Sequence, residues 1–254
     1  MRSLFALLLI SMGLLSATCN KTEEPDELAL QRARMEARRL MAERFERIPS
    51  RERAEGLEGE MQDAGLIDIQ DMDSTIRVEL KYAGSDNFLD TNVYGELQKA
   101  YLRIEAAAML SLAQEKLQEL KPGYSLLVYD AARPVSVQER MWDLVVGTAE
   151  QNYVASPGTG SLHNYGAAVD LTICQPDGSP LDMGTPFDHF GRESQPRHES
   201  SHLKSGALTP EQIENRKLLR KVMASGGFKG IPTEWWHFNA YPLDYVKRNF
   251  ERIP

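Results

Sequence analysis

Apolar and polar residues alternate along Thr75-Ile76-Arg77-Val78-Glu79-Leu80-Lys81-Tyr82, and this period of two predicts a strand with one buried face. From Glu96 to Leu120 the period changes. Leu97, Tyr101, Ile104, Ala108 and Leu112 recur at helical spacing, which predicts a helix that stops before Lys121-Pro122-Gly123. Tyr124 to Tyr129 is an apolar run that predicts a second strand, and Val135 to Val146 a helix begun by Pro134. Ala167 to Ile173 predicts another strand, closed by a turn around Asp177-Gly178. Thr209 is placed to cap a third helix that ends near Gly226-Gly227. No internal repeat and no linker composition interrupts this stretch. The pattern predicts one compact α+β domain over residues 66–254, with a central, mostly antiparallel sheet flanked by helices.

The chain before residue 66 is of another kind. Arg2 provides a short basic start, Leu4 to Leu15 an apolar run, and Ser16, Ala17 and Thr18 small residues before Cys19. That order predicts a secretory leader over residues 1–18, too short for a permanent membrane span. Leu15-Ser16-Ala17-Thr18-Cys19 also resembles a bacterial lipoprotein box, with Ser16 where Leu is usual and Thr18 where Gly, Ala or Ser is usual. The expectation is export to the periplasm, either as a lipoprotein anchored to the membrane through Cys19 or after ordinary signal-peptidase cleavage. Residues 19–65 are dense in both signs of charge, with Arg32, Arg34, Arg38, Arg39, Arg44 and Arg47 among Glu36, Glu43 and Glu46. Pairs such as Glu43–Arg47 support an exposed helix, and Ala29, Ala33, Met41 and Phe45 form only a thin apolar stripe. This segment reads as an N-terminal helical arm or as a loosely ordered charged spacer.

Composition narrows the classes. Of 254 residues, 42% are hydrophobic and 26% charged, enough for a sizeable core and unlike a disordered or fibrous chain. Lys+Arg 29 against Asp+Glu 37 leaves a net charge of −8, which argues against nucleic acid as a partner. Only Cys19 and Cys174 are present, so no disulfide framework exists, and Cys174 reads as a small buried hydrophobe.

Two clusters carry chemistry. In Ser161-Leu162-His163-Asn164-Tyr165-Gly166-Ala167-Ala168-Val169-Asp170, a His precedes a glycine-bearing turn and an Asp sits inside an apolar strand. A carboxylate buried alone costs several kcal/mol, so Asp170 calls for a partner, and a cation is the obvious one. In Glu234-Trp235-Trp236-His237-Phe238, a Glu and a His flank two indoles, and a bulge or turn is needed to bring both to one site. His163, Asp170 and His237 together make the three-ligand set of a catalytic zinc with a position left for water. Glu234 then stands as a general base.

These residues also carry a family resemblance. S-x-H-x-x-G-x-A-x-D followed by E-x-W-H resembles the zinc D-alanyl-D-alanine dipeptidases, which include the VanX-type enzymes of vancomycin resistance. Asp130-Ala131-Ala132-Arg133-Pro134, Met183-Gly184-Thr185-Pro186-Phe187-Asp188, and Lys81-Tyr82-Ala83 with Asp86-Asn87-Phe88 are similar to further family segments. The likeness spans roughly residues 67–243. It implies one Zn2+ per chain on His163, Asp170 and His237, Glu234 as base, and D-Ala-D-Ala as substrate. It further implies Arg133 as the stabiliser of the oxyanion, a role that competes with a plain salt bridge to Asp130. Asp188 would take the free ammonium of the dipeptide, Ser161 would hydrogen-bond its backbone, and Tyr82 would line the pocket.

Other readings stay open. A D,D-carboxypeptidase or endopeptidase acting on peptidoglycan stem peptides would share the chemistry but leave the amine side open. A non-catalytic, zinc-stabilised peptidoglycan-binding module would need neither Glu234 nor Arg133. An arm that serves assembly is a third reading. His198 and His202, four apart in a polar loop after Pro196, and His189 beside Asp188 are expected to lie outside the metal set. Trp235 and Trp236 are expected to act as packing walls, and no G-x-S-x-G elbow supports a serine nucleophile.

Overall fold

The computed structural model describes residues 27–45 and 54–254. The leader over 1–18 and the lipid site at Cys19 lie outside the described residues. Helices α1 (Glu27–Phe45) and α2 (Gly56–Asp63) come first, followed by strand β1 (Leu66–Asp68) and a single helical turn, α3 (Ile69–Met72). Then follow β2 (Arg77–Val78), β3 (Tyr101–Arg103), α4 (Ile104–Leu120), β4 (Ser125–Asp130), α5 (Val135–Val145) and β5 (Ala168–Cys174). The chain ends with α6 (Glu199–Ser205), α7 (Pro210–Ser225), β6 (Lys229–Gly230), β7 (His237–Asn239) and α8 (Leu243–Asn249).

Five strands form the central sheet in the order β2-β4-β5-β7-β6. All neighbours run antiparallel except β2 beside β4, so the α+β expectation with a mostly antiparallel sheet holds. Every residue of β4 and β5 is buried, which is why both read as continuous apolar runs. Cys174 closes β5 as a buried free thiol, packed as the small hydrophobe its surroundings suggest. Thr209 caps α7 as expected: its hydroxyl accepts from Gln212 N–H while the Gln212 amide accepts from Thr209 N–H.

Two expected elements differ. The strand over Thr75–Tyr82 shrinks to Arg77–Val78, and the chain then winds into a 3-10 turn at Lys81–Ala83. Val93 and Tyr94 N–H both donate to the Tyr82 carbonyl, which draws that end of the segment into a loop and away from the sheet. The helix expected from Glu96 begins only at Ile104. Tyr101–Arg103 instead pairs with Leu66–Asp68, and the Tyr101 carbonyl accepts from Ala132 N–H. Tyr101 and Leu102 are both buried, on opposite faces of a strand, so the helical spacing of Leu97 and Tyr101 was coincidental.

The charged arm is docked through the described part of α1. Leu30 and Ala37 are buried, α1 packs on α4 and α7, and Arg34 Nε donates to the Ala240 carbonyl at 3.0 Å. Ala29, expected in the apolar stripe, is exposed; the side chains of Met41 and Phe45 and the Glu43–Arg47 pair lie outside the described residues. Helix α7 ends where these helices meet: a Cβ on Gly226 would stand 2.2 Å from the Met109 carbonyl oxygen. Gly226→Ala is therefore expected to lower stability by about 1–3 kcal/mol through overpacking against backbone that cannot yield. Urea unfolding followed by circular dichroism reads this, and an unchanged midpoint would refute the close approach.

Candidate metal centre

Local turn chemistry explains the first motif. Ser161 caps the 3-10 turn Leu162–Tyr165: its hydroxyl accepts from His163 N–H at 3.3 Å, and Ser161 N–H donates to Asn164 Oδ1 at 2.7 Å. Gly166 leaves the turn at φ +65°, where a Cβ would stand 2.7 Å from Leu66 Cδ2 and 3.2 Å from Arg103 N. Only glycine fits both the left-handed backbone and the space. Arg133 N–H donates to the His163 carbonyl and Asn164 Nδ2 to the Arg133 carbonyl, both at 2.9 Å, so the two motif segments are stitched together.

Sheet register does the rest. Asp130 of β4 pairs with Asp170 of β5, and Asp170 pairs with His237 of β7. Directly paired residues project from the same face, so three neighbouring strands present a row of two carboxylates and an imidazole. Glu234 lies in the bend before β7, which provides the turn that the alternation demanded.

The structure brings His163, Asp170 and His237 to one point; among the described residues they form the one group of metal-ligating side chains that close together. His163 Nε2 lies 3.2 Å from His237 Nδ1 and 3.4 Å from Asp170 Oδ1, and His237 Nδ1 lies 2.9 Å from Asp170 Oδ1. Four ligands at bond lengths of about 2.0–2.2 Å stand about 3.3–3.6 Å apart in a tetrahedron, close to the triangle seen here. Both rings are oriented from behind. His163 Nδ1 donates to the Ala131 carbonyl at 2.6 Å and His237 Nε2 to Asn239 Oδ1 at 2.9 Å, in the tautomers that leave a lone pair facing the shared point. The donor set and its geometry fit a divalent ion.

Charge tells the same story. Burial works against the charged forms of both Asp170 and His237, yet the two imidazoles hold Asp170 well below the usual carboxylate range. Asp170 in turn outweighs burial at His237 and pushes it up to about 9. A metal entering here competes with protons for these atoms.

Glu234 Oε2 is 4.0 Å from His237 Nδ1, and its side chain is 30% exposed. Burial pushes its carboxyl above the ordinary value, against the opposing pull of His237, His163 and Arg133. Arg133 is buried and held from three sides. Its Nη2 donates to Asp130, its Nη1 donates to Gln138 Oε1 at 3.1 Å, and its guanidinium lies 5.3 Å from the centre of the Tyr82 ring. The salt bridge to Asp130 is thus present. Arg133 Nε is buried with no hydrogen-bond partner among the described residues. Tyr82 OH donates to Asp188 Oδ2 at 2.9 Å. Burial drives the Asp188 carboxyl well above its usual range despite that bond, and Asp188 itself sits at φ +58°. Ser161 is engaged as a cap, with its own hydroxyl hydrogen left to donate.

The decoys stay apart. The segment expected as a loop is helical, with His198 ending a 3-10 turn and His202 inside α6; their rings stand 6.3 Å apart, and His189 lies 3.6 Å from Glu193 at an exposed position. Trp236 is buried against Phe187, and Trp235 Nε1 donates to Thr185 Oγ1 at 2.9 Å. Sequence reasoning missed Asn239 as a ring-orienting group, although i and i+2 in a strand share a face, and Asn239 follows His237 at that spacing. It named Asp130 only as a salt-bridge partner of Arg133, although a carboxylate ending an apolar strand raises the same question as Asp170.

Asn239→Ala is expected to weaken metal binding about 10–100-fold while the fold persists, because His237 loses the group that sets its tautomer. Competition with a chromogenic chelator measures this, and unchanged affinity would remove Asn239 from the site.

The family described as Peptidase_M15, D-ala-D-ala dipeptidase, matches residues 62–253. A D-alanyl-D-alanine dipeptidase of Escherichia coli strain K12 is 35% identical over 183 residues, covering 70% of this chain and 88% of that protein. One from Enterococcus faecalis is 29% identical over 205 residues, covering 73% of this chain and 96% of its own. A third, from Streptomyces coelicolor, is 30% identical over 196 residues, covering 67% and 88%. With the whole of the described site inside the matched span, this chain belongs to the Peptidase_M15 family of D-Ala-D-Ala dipeptidases, a family of metallopeptidases.

Proposed function

We propose that this chain hydrolyses D-Ala-D-Ala to two D-alanines, with one zinc ion held by His163, Asp170 and His237. The observation that carries the proposal is the convergence of three donor atoms within 2.9–3.4 Å of one another, with the Glu234 carboxylate 4.0 Å from His237. When bound, such an ion supplies Lewis acidity and lowers the pKa of water at its open position. Glu234 takes a proton from the attacking water and returns it to the departing amine, a task suited to a carboxyl whose burial has raised its proton affinity. Arg133 brings permanent positive charge to the developing oxyanion. Asp130, Gln138 and Tyr82 hold it in place beforehand, so little reorganisation accompanies the reaction. Asp188, half-buried and lacking, among the described residues, a cationic neighbour in hydrogen-bond contact, takes the substrate ammonium, with Tyr82 steadying it. Ser161 donates to the peptide backbone.

A dipeptide is the proposed substrate in preference to a longer stem peptide. Phe190 stacks on Tyr153 at 4.0 Å between ring centres and meets Phe88 at 5.0 Å, tying three loops together beside Asp188. This aromatic cluster supports a closed amine end. Leader and Cys19 support an exported enzyme, periplasmic or lipid-anchored, in cell-wall turnover or D-alanine scavenging; glycopeptide resistance requires the dipeptide to be destroyed in the cytoplasm.

The test is D-alanine release from free D-Ala-D-Ala and from the same dipeptide with a blocked amine. Release from the free dipeptide alone, lost with chelator and restored by zinc, is the expected result. Release from the blocked substrate would reassign the chain to carboxypeptidase or endopeptidase work. Silence on both with zinc bound would overturn the catalytic proposal.

A further inference from the structure

Away from the metal centre, α1 and the segment around α8 enclose a groove of about 630 Å³. Arg34, Met35 and Arg38 line it from α1, and Tyr241, Tyr245 and Arg248 from the other side. Asp244 is the one carboxylate among its lining residues. Three guanidiniums against one carboxylate make the lining itself cationic on a chain that carries −8 overall, with Glu27, 3.9 Å from Arg34, and Glu105, which acts on Tyr241, at its margin. A cationic lining attracts anions.

The guanidiniums are held differently. Arg34 is fixed: its Nε donates to the Ala240 carbonyl at 3.0 Å, its guanidinium lies 5.5 Å from the Tyr241 ring centre, and Glu27 stands at 3.9 Å. Arg38 and Arg248 make no ion pair among the described residues. The floor is aromatic, with Tyr241 and Tyr245 stacked at 4.9 Å and 27°. Met35, on the rim between Arg34 and Arg38, is 64% exposed. A long apolar side chain standing in solvent among cations is the pattern of a bilayer-surface element, where methylenes enter the acyl boundary and guanidiniums meet phosphates.

We propose that this groove seats the phosphate of an anionic phospholipid headgroup and so orients the domain on a membrane surface. A lipid is favoured over a soluble phosphate by exposed Met35, which a soluble anion would leave in water. Chain reach agrees: the eight residues from Cys19 to Glu27 span at most about 28 Å when extended, so a lipid on Cys19 would keep α1 at the bilayer. The groove is independent of the catalytic reading and survives its failure.

The test compares the full chain with an Arg38→Glu/Arg248→Glu variant by co-sedimentation with vesicles. One vesicle set is phosphatidylcholine alone, the other equal parts phosphatidylcholine and phosphatidylglycerol. Binding to the neutral set reads whatever the leader contributes and should match between the two proteins. The wild-type chain is expected to prefer anionic vesicles by about tenfold or more, at roughly 1 kcal/mol per arginine near the surface, and the double variant to lose that preference. Met35→Asp should reduce anionic-vesicle binding while solution peptidase turnover stays unchanged. Equal anionic preference in wild type and double variant would overturn the proposal. So would full displacement from the vesicles by millimolar glycerol phosphate, which would identify a soluble-phosphate site instead.

Discussion

Glu234→Ala is expected to keep the metal and lower turnover of D-Ala-D-Ala by on the order of 10³-fold. Retention of the metal follows from the geometry. The imidazoles of His163 and His237 are oriented by the Ala131 carbonyl and Asn239, and neither bond involves Glu234. Loss of turnover follows from the position of the carboxylate, 4.0 Å from His237 and partly open to solvent, with a proton affinity raised by burial. Among the described residues, the other carboxylates near the donor triangle are committed elsewhere, Asp188 among them through its bond from Tyr82 OH. Asp170 is one of the three donors, and Asp130 is committed to Arg133, Tyr94 and Ala131 N–H. Glu234→Gln, which keeps the volume, should lose as much. Metal content by atomic absorption and kcat on the same samples decide the matter, and near-normal kcat with full metal would refute the general-base role.

Asp130→Asn is expected to cost about 3–5 kcal/mol of stability, because it leaves the Arg133 charge buried without its counter-ion. Asp130 is wholly buried and accepts from Tyr94 OH, Arg133 Nη2 and Ala131 N–H, and it lies 3.6 Å from His163 Nδ1. Burial alone would strip Arg133 of some of its proton affinity; Asp130 reverses this and drives that affinity well above the ordinary guanidinium value. Urea unfolding measures the stability term. Asp130→Leu combined with Arg133→Met separates stability from function: removing both charges should restore much of the stability and none of the activity. Undiminished stability in Asp130→Asn alone would show that the pair is not the brace described here.

The alternatives posed for Arg133, a salt bridge or an oxyanion group, turn out not to exclude each other. The ion pair occupies Nη2 and a glutamine Nη1, and the fixed charge remains. What made one partner hard to see is distance along the chain. Asp130 is three residues away and was visible; Tyr82, whose ring lies beneath the guanidinium, comes from a loop some fifty positions earlier. In the same way His163 and Asp170 read as a pair because seven residues separate them, whereas Asn239 declares its purpose only once His237 is seen from behind.

Much of this protein is written in local spacing. Ser161, Asn164 and Gly166 form a turn because a side-chain cap and a left-handed exit need only near neighbours. An Asp in an apolar strand and a Glu and a His around two indoles likewise announce a cation and a base without help from elsewhere. The strands β4 and β5, the helices α5 and α7 and the Thr209 cap were legible for the same reason. Tertiary structure decided the remainder. It set the register that lines up Asp130, Asp170 and His237, paired Tyr101–Arg103 with β1 in place of a longer helix, and laid α1 across α4 and α7. Each of those outcomes is chosen by a partner far away in sequence, through strand pairing and shared burial, and periodicity along one segment carries no information about the identity of that partner.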